Sequence, residues 1–294
     1  MKKTIEYKVF NTLALIFTTL FALACLLPML YTLAGSFMSD RELFGGLKLI
    51  PQQPTLKAYK QILNNGSSML RAYGITIFIT VVGTGIGVVL MSMTAYVLYR
   101  RDFKARGFFS FYFYFTTLFS GGLVSYYVLY SKMGLRNTLW VLMIGGLFSN
   151  IYIIVMRSFM TANVPQSLVE AAKIDGANEF RIYWQVVLPS SGSIIATIAL
   201  MTSLGYWNNW YTASIYITDK DLYPLMYYLY KIFNDQALHE SLMAQGVEIS
   251  KNQERIGEAY KNAMTIFTMG PVVLFYPFFQ RFFVSGVTIG AVKE

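Results

Sequence analysis

The chain has 294 residues, of which 55% are hydrophobic and only 13% charged. A soluble domain carries about 25% charged residues, so this balance points to lipid contact and away from a large soluble domain. The excess of 24 basic over 15 acidic residues flanks apolar stretches, which assigns it to headgroups and orientation instead of nucleic acid. One cysteine, Cys25, excludes an internal disulfide, and one histidine, His239, disfavours a metal or acid/base centre.

The N-terminal Lys2, Lys3 and Lys8 precede an apolar run, Val9–Leu33. A cleaved leader ending at Ala24-Cys25 is the competing reading. The run continues for eight residues past Cys25, which favours a retained helix. At about 1.5 Å per residue it exceeds a ~30 Å hydrocarbon core. Ala34–Arg71 reads as an external loop with a short surface helix over Lys57–Leu63 and an Asn64-Asn65-Gly66 stop. The second span is Tyr73–Tyr99, where Gly83 and Gly87 stand at GxxxG spacing and permit close helix approach. Arg100, Arg101, Lys104 and Arg106 follow. Gly107–Ser131 is expected as the third span, a turn closes at Lys132–Arg136, and Thr138–Met156 is the fourth. A polar segment, Arg157–Gln185, leads into a fifth span at Val187–Trp210. Tyr211–Asn262 reads as a second external loop with amphipathic helical parts. The sixth span is Ala263–Gln280, with Gly270-Pro271 and Pro277 as expected kinks, and Arg281–Glu294 is a short tail.

Basic residues are dense at the N-terminus (three in eight) and in the Arg100–Arg106 loop (four in seven), and dilute in Ala34–Arg71 and Tyr211–Asn262. The positive-inside rule then places both termini, the Arg100 loop and the Glu170 segment in the cytoplasm. The expected fold is an all-α membrane protein of six transmembrane helices. None of the six spans contains Asp, Glu, Lys, Arg or His. Coupled carriers and intramembrane hydrolases ordinarily need such groups. No G-x-x-x-x-G-K-[ST] phosphate loop occurs either. The chain reads as a conduit driven from elsewhere.

The segment between spans four and five carries the most specific pattern. Glu170-Ala171-Ala172 is followed by Asp175-Gly176, then nine residues, then Val186-Val187-Leu188-Pro189. Glu170–Lys173 are good helix formers. Ser167 with Glu170 matches a capping box, Gly176 ends or bends the helix, and a second short helix from Asn178 is expected to run towards Pro189. Two short helices at an angle form a knob that seats in another protein's cleft; an ordinary amphipathic loop is the plain alternative. The spacing resembles the EAA signature of importer-type ABC transporter permeases, E-A-A-x-x-x-G, nine residues, I-x-L-P, with Val186 in place of Ile. Ser36–Gly46, Thr94–Phe109, Gly134–Leu142 and the C-terminal Tyr276–Glu294 extend the resemblance to carbohydrate-importer permeases of the MalG type, within the LplC/YtcP-like branch that includes permeases for alginate and pectin-derived oligosaccharides.

The resemblance implies a type I ABC importer permease fold in a bacterial cytoplasmic membrane. It implies a second permease, two ATPase subunits that bind ATP and Mg, and an extracytoplasmic solute-binding protein as partners. It implies residues 1–70 as a first helix and loop, 71–281 as the transporter core with a coupling loop at 158–189, and 282–294 as a cytoplasmic tail. Glu170, Ala171, Ala172, Asp175, Gly176, Leu188 and Pro189 would couple to an ATPase subunit. For a sugar or oligosaccharide path, Tyr206, Trp207, Asn208, Asn209, Trp210 and Tyr211 offer aromatic faces and amides; they serve equally as an interfacial belt. Asn150, Tyr152, Tyr112 and Tyr114 are further candidates. An importer of a non-sugar solute such as a peptide or polyamine, and an ion-coupled carrier or channel acting alone, are the alternatives. An enzyme is disfavoured by the charge-free spans.

Overall fold

The computed structural model describes the backbone of residues 5–46, 48–64, 66–245 and 257–291, and it is helical, with no strand among these residues. The side chains of residues 5, 236, 239, 240, 242–244, 276 and 278–291, His239 among them, and residues 246–256 lie outside the description. The chain divides into two compact units, residues 1–67 with 229–270 and residues 68–228 with 271–294.

In the first unit, α1 (Ile5–Ser36) is unbroken through Pro28 and is long and apolar enough to cross a membrane. It is followed by α2 (Asp40–Phe44) and α3 (Lys57–Asn64), the latter where a surface helix is expected. Ser39 caps α2, and the Asp40 carboxylate accepts the backbone N–H of Ala259 at 2.9 Å near the start of the last helix. A carboxylate there meets unsatisfied N–H groups and the positive end of the helix dipole.

In the second unit, α4 (Gly66–Tyr99) begins right at the expected stop and extends the second span back into the loop, to 34 residues. The third and fourth spans are not single rods. The third is α5 (Arg106–Leu118) and α6 (Gly122–Lys132), bent by 111°. Ser120-Gly121-Gly122 supplies the break, with Gly122 at φ 75°, a left-handed conformation that glycine tolerates without strain. The fourth is α7 (Leu139–Ile144) and α8 (Asn150–Asn163), interrupted at Gly145–Ser149. Helix α8 also takes in Arg157–Asn163, expected as polar loop. The turn before α7 is held by Asn137 at φ 54°, whose amide binds the Thr218 hydroxyl and backbone.

The polar segment folds into α9 (Gln166–Ile174) and α10 (Glu179–Ile182), a π-helical turn (Tyr183–Val187) and α11 (Leu188–Ser190). An 83° bend then leads into α12 (Gly192–Trp207), so Leu188-Pro189 lie before a break in the segment expected as the fifth span. The external segment is α13 (Tyr211–Tyr216), a 3-10 turn (Lys220–Leu222) and α14 (Leu225–Ala244). Where the sixth span is expected, α15 (Glu258–Ala291) continues through both Pro271 and Pro277 and takes up residues expected as a tail. Among the described residues, two helices, α1 and α4, are long and apolar enough to cross a membrane, or up to four segments if each bent pair is one span.

The GxxxG spacing works as a groove for other elements. Gly83 receives the Tyr206 ring, which Gly146 flanks from α7's exit; a Cβ at either would lie 2.6 Å from the ring. A Cβ on Gly87 would meet the backbone of Leu147 at 3.3 Å. The Tyr206 hydroxyl donates to the carbonyl of Met143 at 2.6 Å. Gly83→Ala and Gly146→Ala are expected to lower stability by about 1–3 kcal/mol through overpacking against a rigid ring. Gly85→Ala, with open space around its Cβ, is expected to be neutral or to gain up to about 1 kcal/mol of helix propensity. Thermal unfolding of the three variants in detergent checks the order; equal midpoints would refute the groove.

Candidate functional site

The knob is built from a helix with two faces. On α9, Val169 is buried and Ala172 is half-buried against the core, while Leu168, Ala171, Ile174 and Asp175 face out. Residues three apart share a helix face, so Leu168, Ala171 and Ile174 form an outward stripe. Ile174 is 87% exposed. Glu170 and Ala171 are exposed beside it. The expected capping box does not form. Helix α9 starts at Gln166 because Pro165, at φ −62° and ψ 135°, takes the N-cap position, and its carbonyl accepts the N–H of Leu168 at 3.1 Å. Ser167 therefore lies inside the first turn, where it cannot cap.

Gly176 ends α9 as its sequence position suggests. Its φ is 77°, its N–H donates to the Lys173 carbonyl at 3.0 Å, and the N–H of Ala177 donates to the Ala172 carbonyl at 2.9 Å. This pair of bonds is a Schellman motif, which uses a left-handed residue to satisfy the orphan carbonyls of a helix end. Two residues on, Asn178 starts the next helix, its side chain accepting the Arg181 N–H at 2.8 Å.

The second helix is anchored more deeply. Ile182, Tyr183 and Val187 are buried among Met91, Ile153, Met156 and Met160. The Tyr183 hydroxyl shares a 2.7 Å hydrogen bond with Ser92 of α4. Pro189 has no N–H to offer the Gln185 carbonyl. Just before it the ladder widens, with the N–H of Leu188 bonded to the Tyr183 carbonyl. Leu188 packs on the core and Pro189 is exposed. Phe180 and Trp184 remain on the surface at 6.0 Å ring separation.

A charge network, which the sequence reading does not anticipate, ties this knob to the end of α4. The Arg100 side chain is 6% exposed. It donates through Nε and Nη2 to Asp102 at 3.0 and 2.5 Å, and through Nη1 to Glu179 at 2.6 Å and to the Tyr96 hydroxyl at 2.8 Å. The Tyr96 hydroxyl in turn donates to Glu179 at 2.6 Å. Lys173 of α9 reaches Asp102 at 2.6 Å and Glu179 at 3.4 Å. Two cations and two carboxylates thus join the Arg100 loop, α9 and α10. Burial works against the Arg100 charge, yet the hydrogen bonds to Asp102 and the neighbouring groups hold its pKa above the ordinary value. Hydrogen bonds from Arg100, then from Lys173, hold the Asp102 carboxyl well below the usual carboxylate range. The one available signal was Arg100-Arg101-Asp102 at a span end, where an acid among bases has local partners.

The aromatic-amide run at the other end of α12 does not act as one surface. Tyr206 is enclosed as described. Trp207 lines a largely apolar cleft of about 460 Å³ with Ile77, Thr80, Thr84, Ser203 and Phe275. Asn208 is exposed. Asn209 is used locally, accepting the N–H of Thr212 at 3.0 Å and donating to its hydroxyl at 2.9 Å. Trp210 and Tyr211 are exposed and meet edge to face at 5.8 Å. Asn150 donates to the Thr116 hydroxyl at 2.7 Å, and Tyr152 packs on the core. Tyr112 and Tyr114 are exposed on α5. No group of three His, Cys, Asp or Glu residues among the described residues is placed to hold a metal ion.

Removing Arg100 leaves Glu179 and Asp102 half-solvated, not buried. Arg100→Gln is therefore expected to cost about 1–3 kcal/mol, less than a fully buried pair. Asp102 gives a pH signature. A depressed carboxylate stabilises in full above its unfolded pKa of about 3.9 and loses that contribution as pH falls towards its folded value. The unfolding midpoints of wild type and Asp102→Asn should differ by a constant amount from about pH 5 upward and converge in acid. A gap that widens on acidification contradicts the network.

Comparison with known proteins agrees with this architecture. A family model described as "binding-protein-dependent transport system inner membrane component" matches residues 83–289. The "polygalacturonan/rhamnogalacturonan transport system permease protein YtcP" of Bacillus subtilis (strain 168) is 33% identical over 287 residues, covering 97% of this chain and 99% of its own length. "Protein LplC" of the same organism is 33% identical over 294 residues, covering 100% of this chain and 98% of its own. A crystal structure of a bacterial ABC transporter involved in the import of the acidic polysaccharide alginate contains a chain that superposes with a TM-score of 0.82 at 26% identity, over 95% of this chain and 98% of that one. With a family match over most of its length, two full-length relatives and a shared all-helical fold, the chain belongs to the inner-membrane permease components of binding-protein-dependent ABC transport systems.

Proposed function

We propose that this chain is one of two permease subunits of an ATP-driven importer, and that the knob over residues 166–190 seats in a cleft of an ATPase subunit. The observation that carries this reading is the apolar stripe of Leu168, Ala171 and Ile174, with Phe180 and Trp184, exposed on a knob whose other side is fixed in the core. Exposed apolar patches rimmed by polar residues mark protein contacts. Glu170 and Asp175 supply the rim. ATP and Mg would be held by the ATPase subunits, and closure of their dimer would move the knob as a rigid piece and rock the spans around it.

The proposed topology has six crossings: α1, α4, the α5–α6 pair, the α7–α8 pair, α12 and α15. Both termini and the knob lie in the cytoplasm, as the density of basic residues in the short loops supports. A solute-binding protein would deliver substrate at the opposite face, near Trp207, Asn208, Trp210 and Tyr211. The substrate we infer is an oligosaccharide, acidic ones included, since relatives carry names for polygalacturonan/rhamnogalacturonan and alginate transport.

Three tests follow from this reading. Ile174→Asp should leave the chain inserted and folded but weaken retention of the ATPase subunit about thirtyfold, as expected when a central apolar contact of ~2 kcal/mol is lost. Gly176→Ala meets no atom but forces a left-handed alanine, at about 1–2 kcal/mol, so transport should fall while the subunit is still captured. Normal transport by Ile174→Asp would sink the docking assignment. In the reconstituted complex with its binding protein, oligogalacturonate or oligoalginate should stimulate ATP hydrolysis; stimulation only by peptides or polyamines would overturn the substrate class.

A further inference from the structure

A second cavity, of about 520 Å³, opens beside the knob and has no part in the docking stripe. Its wall brings together Arg101 from the loop after α4, Arg106 from the first turn of α5, and Arg157 from α8, with Tyr99, Thr161 and Gln166 between them. No carboxylate lines it. None of the three guanidinium groups takes part in an ion pair among the described residues. The contrast with the adjacent Arg100 is direct: that side chain has two carboxylates, and Asp102 and Glu179 are used up by it and Lys173. Arg106 and Arg157 are half-buried, so their mutual repulsion is screened less than on an open surface. Planar guanidinium forks around one hollow match the geometry of a phosphate group.

The surroundings indicate what carries that phosphate. Phe108 and Phe111 are exposed in the first two turns of α5, and Ile151 and Val155 are exposed on α8. Apolar surface therefore runs from Arg106 and Arg157 along the same two helices. Basic pockets between membrane helices at the cytoplasmic boundary fit anionic headgroups, with acyl chains along the apolar faces.

We propose that Arg101, Arg106 and Arg157 form a binding site for a phosphate-ester anion, with the headgroup of an anionic phospholipid as its occupant. The site lies directly against the knob, since Val164, Pro165 and Gln166 at the entry to α9 also line it. An occupant there would brace the α8–α9 turn.

The test uses the full chain in phosphatidylcholine nanodiscs, titrated with spin-labelled phosphatidylglycerol while the immobilised fraction is read by electron paramagnetic resonance. Arg106→Gln and Arg157→Gln should each weaken binding about tenfold, the equivalent of one charge-assisted hydrogen bond. Arg157→Lys should restore part of it, which also shows that the fold survives. Lys104→Gln removes one charge from the same loop without touching the cavity and should change binding by no more than about twofold. Inorganic phosphate is the second arm. If it fails to displace the lipid, the source is the headgroup; if it displaces the lipid with the same arginine dependence, the anion site stands and free phosphate is its source. The proposal is overturned if Lys104→Gln weakens binding as much as the cavity variants, which would be bulk surface potential. It is equally overturned if the arginine variants leave both anions bound as before.

Discussion

The arrangement of the knob against α4 depends on one buried cation. Arg100 lies just past α4, where the helix leaves the apolar region, and its guanidinium is almost fully enclosed. A charge in that position is tolerable only with good geometry and full hydrogen bonding. It obtains both by drawing Asp102 from its own loop and Glu179 from α10, with the Tyr96 hydroxyl accepting from Arg100 and donating to Glu179. The partners come from different segments, so the requirement to satisfy Arg100 fixes where the knob stands relative to α4. Apolar burial of Val169, Ile182, Tyr183 and Val187 supplies adhesion, but it is non-directional. The ion and hydrogen-bond network gives the register.

This division of labour suits the proposed docking role. The inward side of the knob is over-determined, by core packing, by the Tyr183–Ser92 bond and by Lys173 bridging the same two carboxylates. Its outward side spends almost no side-chain bonding on itself and leaves Leu168, Ile174, Phe180 and Trp184 open. A surface that is rigid from below and apolar above loses little conformational entropy when a partner covers it.

Much of this was legible in the sequence, and the exceptions share a cause. Local chemistry is read from neighbours along the chain: Gly176 ending a helix, Asn178 starting one, a short helix at Lys57, close approach at Gly83 and Gly87. Apolar stretches are visible but not their breaks, because hydropathy is blind to direction. Gly107–Ser131 is apolar throughout, yet Gly121-Gly122 turns it by 111°. Ser167 and Glu170 have capping spacing, but Pro165 reaches the N-cap position first. Tyr206 belongs to an attractive aromatic run, and only the placement of Gly83 and Gly146 shows its ring enclosed. Arg100 and Glu179 are 79 residues apart; no periodicity connects them.

The EAA spacing itself gains a physical meaning from these details. Its glycine is where a helix can end with its last carbonyls satisfied by left-handed backbone. Its proline is where an α-helical ladder cannot continue, and the preceding turn widens to i→i+5 bonding before the chain bends by 83° into α12. Between these two points Ile182, Tyr183 and Val187 pack inward, Glu179 reaches Arg100, and Phe180 and Trp184 stay exposed. Glu170, the first letter of the pattern, is not needed for capping or for the charge network, both of which are complete without it. Glu179, which carries the network, lies outside the signature letters. The signature thus marks the two ends of the knob and part of its outer surface; apart from Ala172 and Leu188, which pack on the core, the interactions that hold it to the membrane helices are written in residues the signature leaves unspecified.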